Sequence, residues 1–489
     1  MEVIITVTYL GSMTLILVFS LVQFDLAIQY IRSKKGRAEK PQPALKPGEY
    51  PQVTIQLPVY NEKYVVRRLL ESVTALEYPK DKFEIQVLDD STDETSRIIR
   101  ETMEEMVKKG INITLHHRTK REGYKAGALL DGFKKSAGEF IAIFDADFIP
   151  EKDFLLKTLP HFRDPAIGLV QTRWGHVNEK YSLLTRLQAF GLNAHFTVEQ
   201  VGRSAAGSYI NFNGTAGIWR KQCILDGGNW AMDMLSEDLD LSYRSQLKGW
   251  KFKYLENVVS PAELPVVIQA IRSQQFRWTK GGAEAARKNL GRVLSSSLKL
   301  KNKIHAVFHL LNSTVFPLLL LAAITSIPLL LIKQNKPVYS LFFDLGFIFF
   351  IGFLGLSVFY WVSARYFHPD KTLKYYLFHY PLFLAFSMGL SFQNTVAVLE
   401  GLFGVRTEFV RTPKFNIQTK KDTLKNKIYI ESRVTWQNLI EFFLFLYFLA
   451  GVVLGIFFGD YVLVIFHLML AFGFAGVTYY SLKPLKINA

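Results

Sequence analysis

The sequence predicts an α/β domain joined to an α-helical membrane region, and three observations carry that prediction. Short apolar segments rich in β-branched and aromatic residues alternate with helical patterns early in the chain, the βαβ rhythm of a mostly parallel sheet. Long apolar runs stand apart from them, one at the beginning and the rest after residue 303. The 489 residues are 49% hydrophobic and 20% charged, which excludes a disordered chain and allows a sizeable core. The single cysteine, Cys223, excludes an internal disulfide framework and a cysteine-based zinc site. A net charge of +16 suits nucleic acid, an anionic membrane surface or phosphorylated substrates, so the placement of the apolar residues has to decide among them.

Residues 3–22 are long enough to cross a bilayer. With only Glu2 before them and Lys34, Lys35 and Arg37 after, they are expected to form an uncleaved anchor whose C-terminal flank is cytoplasmic. Strands are expected at 53–60, 84–88, 113–116 and 140–144, separated by helices such as 64–76 and 94–109. The later apolar runs are 315–332, 341–362, 376–398, 439–458 and 461–482. Run 376–398 is interrupted by His379, Pro381, Gln393 and Asn394 and leads into a loop, 406–433, of net charge +5. The positive-inside rule puts that loop on the side of the α/β domain, so an even number of crossings separates the two. Run 376–398 is therefore expected to be interfacial or re-entrant, which leaves five spans and places the basic tail (Lys483, Lys486) inside as well.

Three of the expected strands run out into acids: the first into Tyr60, Asn61 and Glu62, the second into Asp89 and Asp90, the fourth into Asp145 and Asp147. Ligands of open α/β sheets bind beyond the carboxyl ends of the strands. Two-residue spacing at a strand end would turn Asp145 and Asp147 to one face, where they could share Mg²⁺ or Mn²⁺ completed by substrate phosphates; a solvated turn is the plainer alternative. Lys125, among small residues at a helix start, suits a diphosphate, or is an exposed lysine on an ordinary capped helix. Asp238, within Ser236-Glu237-Asp238, could be a general base, or belong to the acidic first turn of a helix capped by Ser236. Arg277 could meet a departing diphosphate and Trp278 a sugar ring, unless the pair only anchors a helix at the bilayer surface.

Taken in order, Asp89-Asp90, Asp145-Ala146-Asp147, Ser236-Glu237-Asp238 and Gln274-Gln275-Phe276-Arg277-Trp278 resemble the motif set of membrane-embedded family-2 glycosyltransferases with a GT-A domain, the cellulose, hyaluronan and chitin synthases and their relatives. The strings QVLDDSTD at 86–93, GYKAGA at 123–128, HFTVEQ at 195–200, FNGTAG at 212–217 and LKGWKF at 247–252 resemble the plant cellulose-synthase-like A and C branches, which make β-1,4-mannan or glucomannan and the β-1,4-glucan backbone of xyloglucan. Ser236 departs from the Thr or Val usual at its place. Residues 409–414 resemble the F-x-V-T-x-K gating loop of cellulose synthases, with Val410 and Arg411 departing from it.

The resemblance implies an α/β GT-A (Rossmann-like) cytosolic glycosyltransferase domain combined with an α-helical transmembrane region. Its expected units are an anchor (1–36), the GT-A domain (37–303), two transmembrane helices (304–375), an interfacial helix with a gating-like loop (376–435), and two further transmembrane helices with a cytosolic tail (436–489). Tyr60, Glu62 and Asp89 or Asp90 would contact the nucleotide, and Lys125, Gln274 and Arg277 the diphosphate. Asp145 and Asp147 would meet the sugar nucleotide and Mg²⁺ or Mn²⁺. Asp238, beside Glu237, would deprotonate the acceptor hydroxyl. Trp278, Phe212, Asn213, Gly214 and Thr215 would face the acceptor. The implied reaction is an inverting hexose transfer from GDP-mannose or UDP-glucose to a growing β-linked polysaccharide, with coupled translocation. The partners would be that donor, the polysaccharide and membrane lipids, with no nucleic acid, and the membrane a bacterial inner membrane or the Golgi. A glycolipid synthase using similar motifs is the second reading. A non-catalytic basic membrane protein is the third, and it leaves the acidic sheet edge unexplained, because clustered carboxylates repel phosphate unless a cation bridges them.

Overall fold

The computed structural model describes residues 1–35, 42–335, 348–424, 427 and 435–482. Arg37, residues 341–347 of an expected span, much of the basic loop after residue 424, and the tail with Lys483 and Lys486 lie outside the described residues.

An apolar helix, α1 (Glu2–Lys35), precedes a seven-stranded sheet. In chain order the sheet region comprises β1 (Val53–Val59), α2 (Val66–Thr74), β2 (Phe83–Asp89), α3 (Thr95–Val107), β3 (Ile113–His117), α4 (Tyr124–Lys135) and β4 (Phe140–Ile143). It continues through β5 (Ile167–His176), α5 (Leu183–Ala194), β6 (Gly217–Arg220), α6 (Glu237–Leu247), β7 (Lys251–Ala262) and α7 (Ile268–Ser295). The first four strands agree with the sequence expectation to within a residue, whereas β5, β6 and β7 are additional. Spatial order is β3-β2-β1-β4-β6-β5-β7, parallel except for β6.

Alternation along β1 builds both faces of the sheet. Val53, Ile55, Leu57 and Val59 enter the core shared with Leu69, Leu70 and Ile99 of α2 and α3. On the other face the Gln56 amide nitrogen donates to Gln86 Oε1 at 3.1 Å, while Gln56 Oε1 is buried without a partner. Pro58 sits inside this central strand, where a missing N–H would ordinarily break the ladder. Pairing with β4 has already stopped at Gln56, so proline falls where one side of the strand is open.

Beyond the sheet region, the longer apolar helices are α8 (Val315–Asn335), α9 (Ile348–Phe367), α10 (Thr372–Gly389), α11 (Ser391–Phe403), α12 (Trp436–Phe457) and α13 (Tyr461–Leu482). Among the described residues, α1, α9, α12, α13 and the helix containing α8 are long and apolar enough to cross a membrane. Expected run 376–398 falls across α10 and α11, which meet at a break and bend by 53°. Helix α7 is tied to this bundle by two ion pairs. Arg272 Nη1 lies 2.7 Å from Glu441 Oε2 of α12, and Lys280 Nζ 2.8 Å from Glu400 Oε2 of α11.

Candidate active site

Strand order reverses between β1 and β4, and in open α/β sheets that point opens a crevice beyond the carboxyl ends of the strands. The parallel strands all end at this edge. Antiparallel β6 enters from it, so its lead-in, Asn213 and Gly214, is delivered to the same place as Glu62, Asp90 and Asp145. One cavity collects them, together with Tyr60, Lys125, Asp147, Glu237, Asp238, Gln274, Arg277 and Trp278.

At the β1–β2 end, Arg121 lies 3.5 Å over the Tyr60 ring, and a bidentate pair joins Arg118 to Asp90 at 2.7 and 2.6 Å. Asp89 does not face the cavity. It is fully buried and accepts from Ser91 N, the Ser96 hydroxyl and His117, so it shapes the loop after β2, and of the acidic pair Asp90 is the member that lines the site. Asn61, at φ 54°, turns the chain out of β1 and accepts from Thr92 N, joining the two strand exits. Burial pushes the Glu62 carboxyl up to about 8 even though Arg411 is 2.8 Å away.

At the centre, β4 stops at Ile143 and the Asp145–Asp147 pair lies in the turn beyond it, so strand alternation does not set its direction. Hydrogen bonds do. Asp145 N donates to Thr215 Oγ1 at 2.8 Å, and Glu263 N donates to Asp147 Oδ2 at 3.1 Å. Lys125 Nζ is 2.6 Å from Asp145 Oδ1 and 2.8 Å from Gly214 O, while Lys414 Nζ is 2.7 Å from Asp147 Oδ2. Burial alone would lower the Lys125 ammonium, but Asp145 and Glu237 outweigh it and hold it raised. Among the described residues no group of three or more His, Cys, Asp or Glu could hold a metal ion. Asp145 and Asp147 both line the cavity and each already faces a lysine, so a hard cation held there would have to take the rest of its shell from phosphate and water.

Helix α6 starts directly after Ser236, which makes no side-chain cap, and Glu237 and Asp238 occupy its first turn. Both line the cavity. Burial, added to the field of Asp145, raises both carboxyls above the ordinary range, and Lys125 counteracts it. A β-carbon at Gly214 would sit 3.1 Å from Asp238 Oδ2 and 3.5 Å from Lys125 Nζ, at a backbone φ of +80°. Gly214→Ala is accordingly expected to lower turnover by about 10²-fold through displacement of Asp238, with about 1–2 kcal/mol of backbone strain. Single-turnover kinetics beside a melting curve separates the two effects.

Helix α7 delivers Gln274, Arg277 and Trp278 to the cavity. Burial lowers the Arg277 guanidinium, opposed by Asp145, Glu237 and Asp238, and its charge lies 4.6 Å from the Phe409 ring. Phe212 and Thr215 do not form the cavity floor. Phe212 is fully buried against Trp219 and Trp230, and Thr215 lies behind Asp145, so only Asn213 and Gly214 of that segment line the site. Ala216, at φ 54°, is strained but fixed by Ile143 O and by Thr172. Sequence reasoning missed Arg121, Trp174, His176 and Glu263. Trp174 and His176 stand two apart near the end of an unrecognised strand, and that alternation was the available signal.

A model of glycosyl transferase family 2 matches residues 54–224, and one of glycosyl transferase family group 2 matches residues 140–476. The chain is 42% identical over 254 residues to glucomannan 4-beta-mannosyltransferase 7 of Arabidopsis thaliana, covering 51% of this chain and 46% of that one. It is 42% identical over 266 residues to glucomannan 4-beta-mannosyltransferase 1 of Cyamopsis tetragonoloba, covering 53% and 51%. The chain thus spans about half the length of these relatives. Its fold is similar to that of the mannosyltransferase PcManGT from Pyrobaculum calidifontis, solved with GDP-Man and Mn²⁺, at a TM-score of 0.53 and 18% identity over 83% of this chain and 99% of that one. With a GT-A-type sheet, apolar helices able to span a membrane, and a family model that runs through both, the chain belongs to glycosyl transferase family group 2 and is a glycosyltransferase.

Proposed function

We propose that this glycosyltransferase moves mannose from GDP-mannose onto the end of a β-linked, β-1,4 glycan by a single inverting displacement, and passes the product towards its own membrane helices. The observation that carries this reading is the meeting of Asp238 and Lys125 at Gly214, because it sets a half-buried carboxylate beside a cation where an acceptor hydroxyl and a diphosphate would approach each other. Asp238 takes the proton of the acceptor hydroxyl, and the freed oxygen attacks the anomeric carbon. The bond from that carbon to the diphosphate breaks opposite the attack, and its electron pair leaves with the diphosphate, which Lys125, Gln274 and Arg277 receive. Tyr60, Glu62 and Asp90 hold the nucleoside. Asp145 and Asp147 would hold Mg²⁺ or Mn²⁺, which when bound supplies Lewis-acid neutralisation of the leaving group.

GDP-mannose is favoured over UDP-glucose by the relatives' activity as glucomannan 4-beta-mannosyltransferases and by the GDP-Man bound to the fold relative. We take residues 37–303 as the catalytic unit, facing the cytosol. The purified chain in nanodiscs, offered radiolabelled GDP-mannose or UDP-glucose with Mg²⁺ or Mn²⁺, is expected to release long chains that a β-mannanase cuts. Label confined to an organic-extractable lipid would replace this reading by a glycolipid synthase, and chains made from UDP-glucose alone would overturn the donor.

A further inference from the structure

Away from the candidate active site, a second cavity of about 250 Å³ lies between α1 and the short helix Leu300–Leu310 that follows α7. Val18, Leu21, Val22 and Asp25 line it from α1. Lys301, Ile304 and His305 line it from the short helix, where spacings of three and four residues put them on one face. The two walls are joined at two points. The Phe19 and Phe308 rings meet edge to face at 4.8 Å, and His305 Nε2 lies 3.0 Å from Asp25 Oδ2. Leu21, Lys301 and Ile304 are exposed, so the cavity opens outward.

Charge fixes where this cavity meets a bilayer. Helix α1 carries no charged residue between Glu2 and Asp25, so Asp25 marks where it leaves the hydrocarbon on the side of the α/β domain. The short helix directly precedes the apolar helix Asn312–Gln334 and so lies at the same boundary. From Val18 to Asp25 is about 10 Å along α1, and a headgroup layer is about 5–7 Å thick. The cavity thus has an apolar end at the depth of acyl chains and a charged end among headgroups. Positive charge dominates there, because Lys299, Lys301 and Lys303 cluster at the start of the short helix beside one acid, Asp25. Both Asp25 oxygens are engaged, Oδ1 by Gln29 Nε2 at 3.1 Å and Oδ2 by His305. Lys301 Nζ is held only loosely, 3.8 Å from Asp25 with its side chain 53% exposed. A loosely held cation above an apolar slot matches a phosphodiester and the acyl chains attached to it.

We propose that this cavity binds one anionic glycerophospholipid of the leaflet facing the α/β domain, with its phosphate at Lys301 and its chains along Val18, Val22 and Ile304. The site stands independently of the reaction proposed above. A bound lipid clamps α1 to the short helix, and that helix is itself tied to the α/β domain. Arg203 Nη1 donates to His305 O at 3.1 Å, and the Tyr243 hydroxyl of α6 donates to Ala306 O at 3.2 Å. In native mass spectrometry of the full chain in detergent, phosphatidylglycerol is expected to bind about tenfold more tightly than phosphatidylcholine. It is also expected to raise the melting temperature, as a ligand of the folded state does. Lys301→Gln is expected to lose about fivefold in phosphatidylglycerol affinity, the effect of one lysine at an anionic surface. Val22→Trp fills the apolar end, leaves the lysines in place, and is expected to lose about tenfold through displaced acyl chains. Equal affinity for phosphatidylglycerol and phosphatidylcholine overturns the proposal, as does unchanged phosphatidylglycerol affinity in both variants. Glycerol phosphate binding as tightly as phosphatidylglycerol would make this a site for a free anion and overturn the lipid. A dimer that Val22→Trp dissociates would overturn it too, by making a second copy of this chain the occupant.

Discussion

Asp238→Asn is expected to reduce glycosyl transfer by about 10²–10⁴-fold, the contribution of a positioned general base. The asparagine keeps the shape of the side chain at Gly214 but cannot take a proton, so GDP-mannose affinity should change little. Single-turnover transfer to an oligosaccharide, beside equilibrium donor binding, separates the two quantities. A rate within threefold of the unaltered enzyme would remove Asp238 from the base role. The unaltered enzyme should also show the sign of its environment in its pH profile. Burial raises the carboxyls of Glu237 and Asp238, and a base works only when deprotonated. The rate should therefore fall on acidification at a pH above the ordinary aspartate range. Because the two acids share one site, the acidic limb belongs to the pair, and Glu237→Gln should move it downwards.

The largest loss of stability is expected from Glu199→Ala. Residues His195–Glu199 form a π-helical turn that follows α5, a local geometry that adds one residue to the hydrogen-bonded ring and re-aims the side chains. Glu199 Oε1 accepts from Arg203 Nε and Nη2 at 3.1 and 3.0 Å, and Oε2 meets His195 Nδ1 at 2.9 Å. Burial would raise this carboxyl, but His195 and Arg203 outweigh it and hold it well below the usual range. Arg203 is only 1% exposed, so deleting its partner leaves a guanidinium charge in the interior, at a cost of about 3–5 kcal/mol. A folded-state value below the unfolded one means the contribution is fully present above about pH 4.5 and is lost as pH falls through the depressed value. Thermal unfolding in detergent from about pH 2 to pH 8 checks both statements. A Glu199→Ala melting curve that superimposes on that of the unaltered protein at pH 7 would refute them.

The first half of the sheet was legible because each strand is a short β-branched run bounded by a helical pattern, and the carboxylates at the strand ends marked the cavity. The second half was not. Strand β6 is four residues long and pairs antiparallel with β4 across more than 70 residues of chain, which no local periodicity encodes. Tight spacing also misled where contacts decide orientation. Asp89 and Asp90 look equivalent in sequence, yet one is consumed by Ser91, Ser96 and His117. Phe212 and Thr215 share a motif with Asn213 and Gly214, but the fold turns the first pair into the wall. Arg411 departed from the gating-loop pattern, and its partner Glu62 lies some 350 positions earlier, so only the folded chain shows what the departure does. The aromatic and polar character of Trp174 and His176 carried no meaning until their strand was placed beside Trp278.

Helix α7 holds Gln274, Arg277 and Trp278 in the cavity and, on the same rod, Arg272 and Lys280, whose acidic partners belong to α12 and α11. The helix that lines the cavity is thus fastened by ion pairs to two helices of the apolar bundle. A soluble fragment ending after α7 would strip two interior cations of their counter-charges, and the damage would arrive at the substrate through the very helix meant to grip it. The whole chain should unfold as one cooperative body, and swapping in the membrane half of another transferase would require those two acids to come with it.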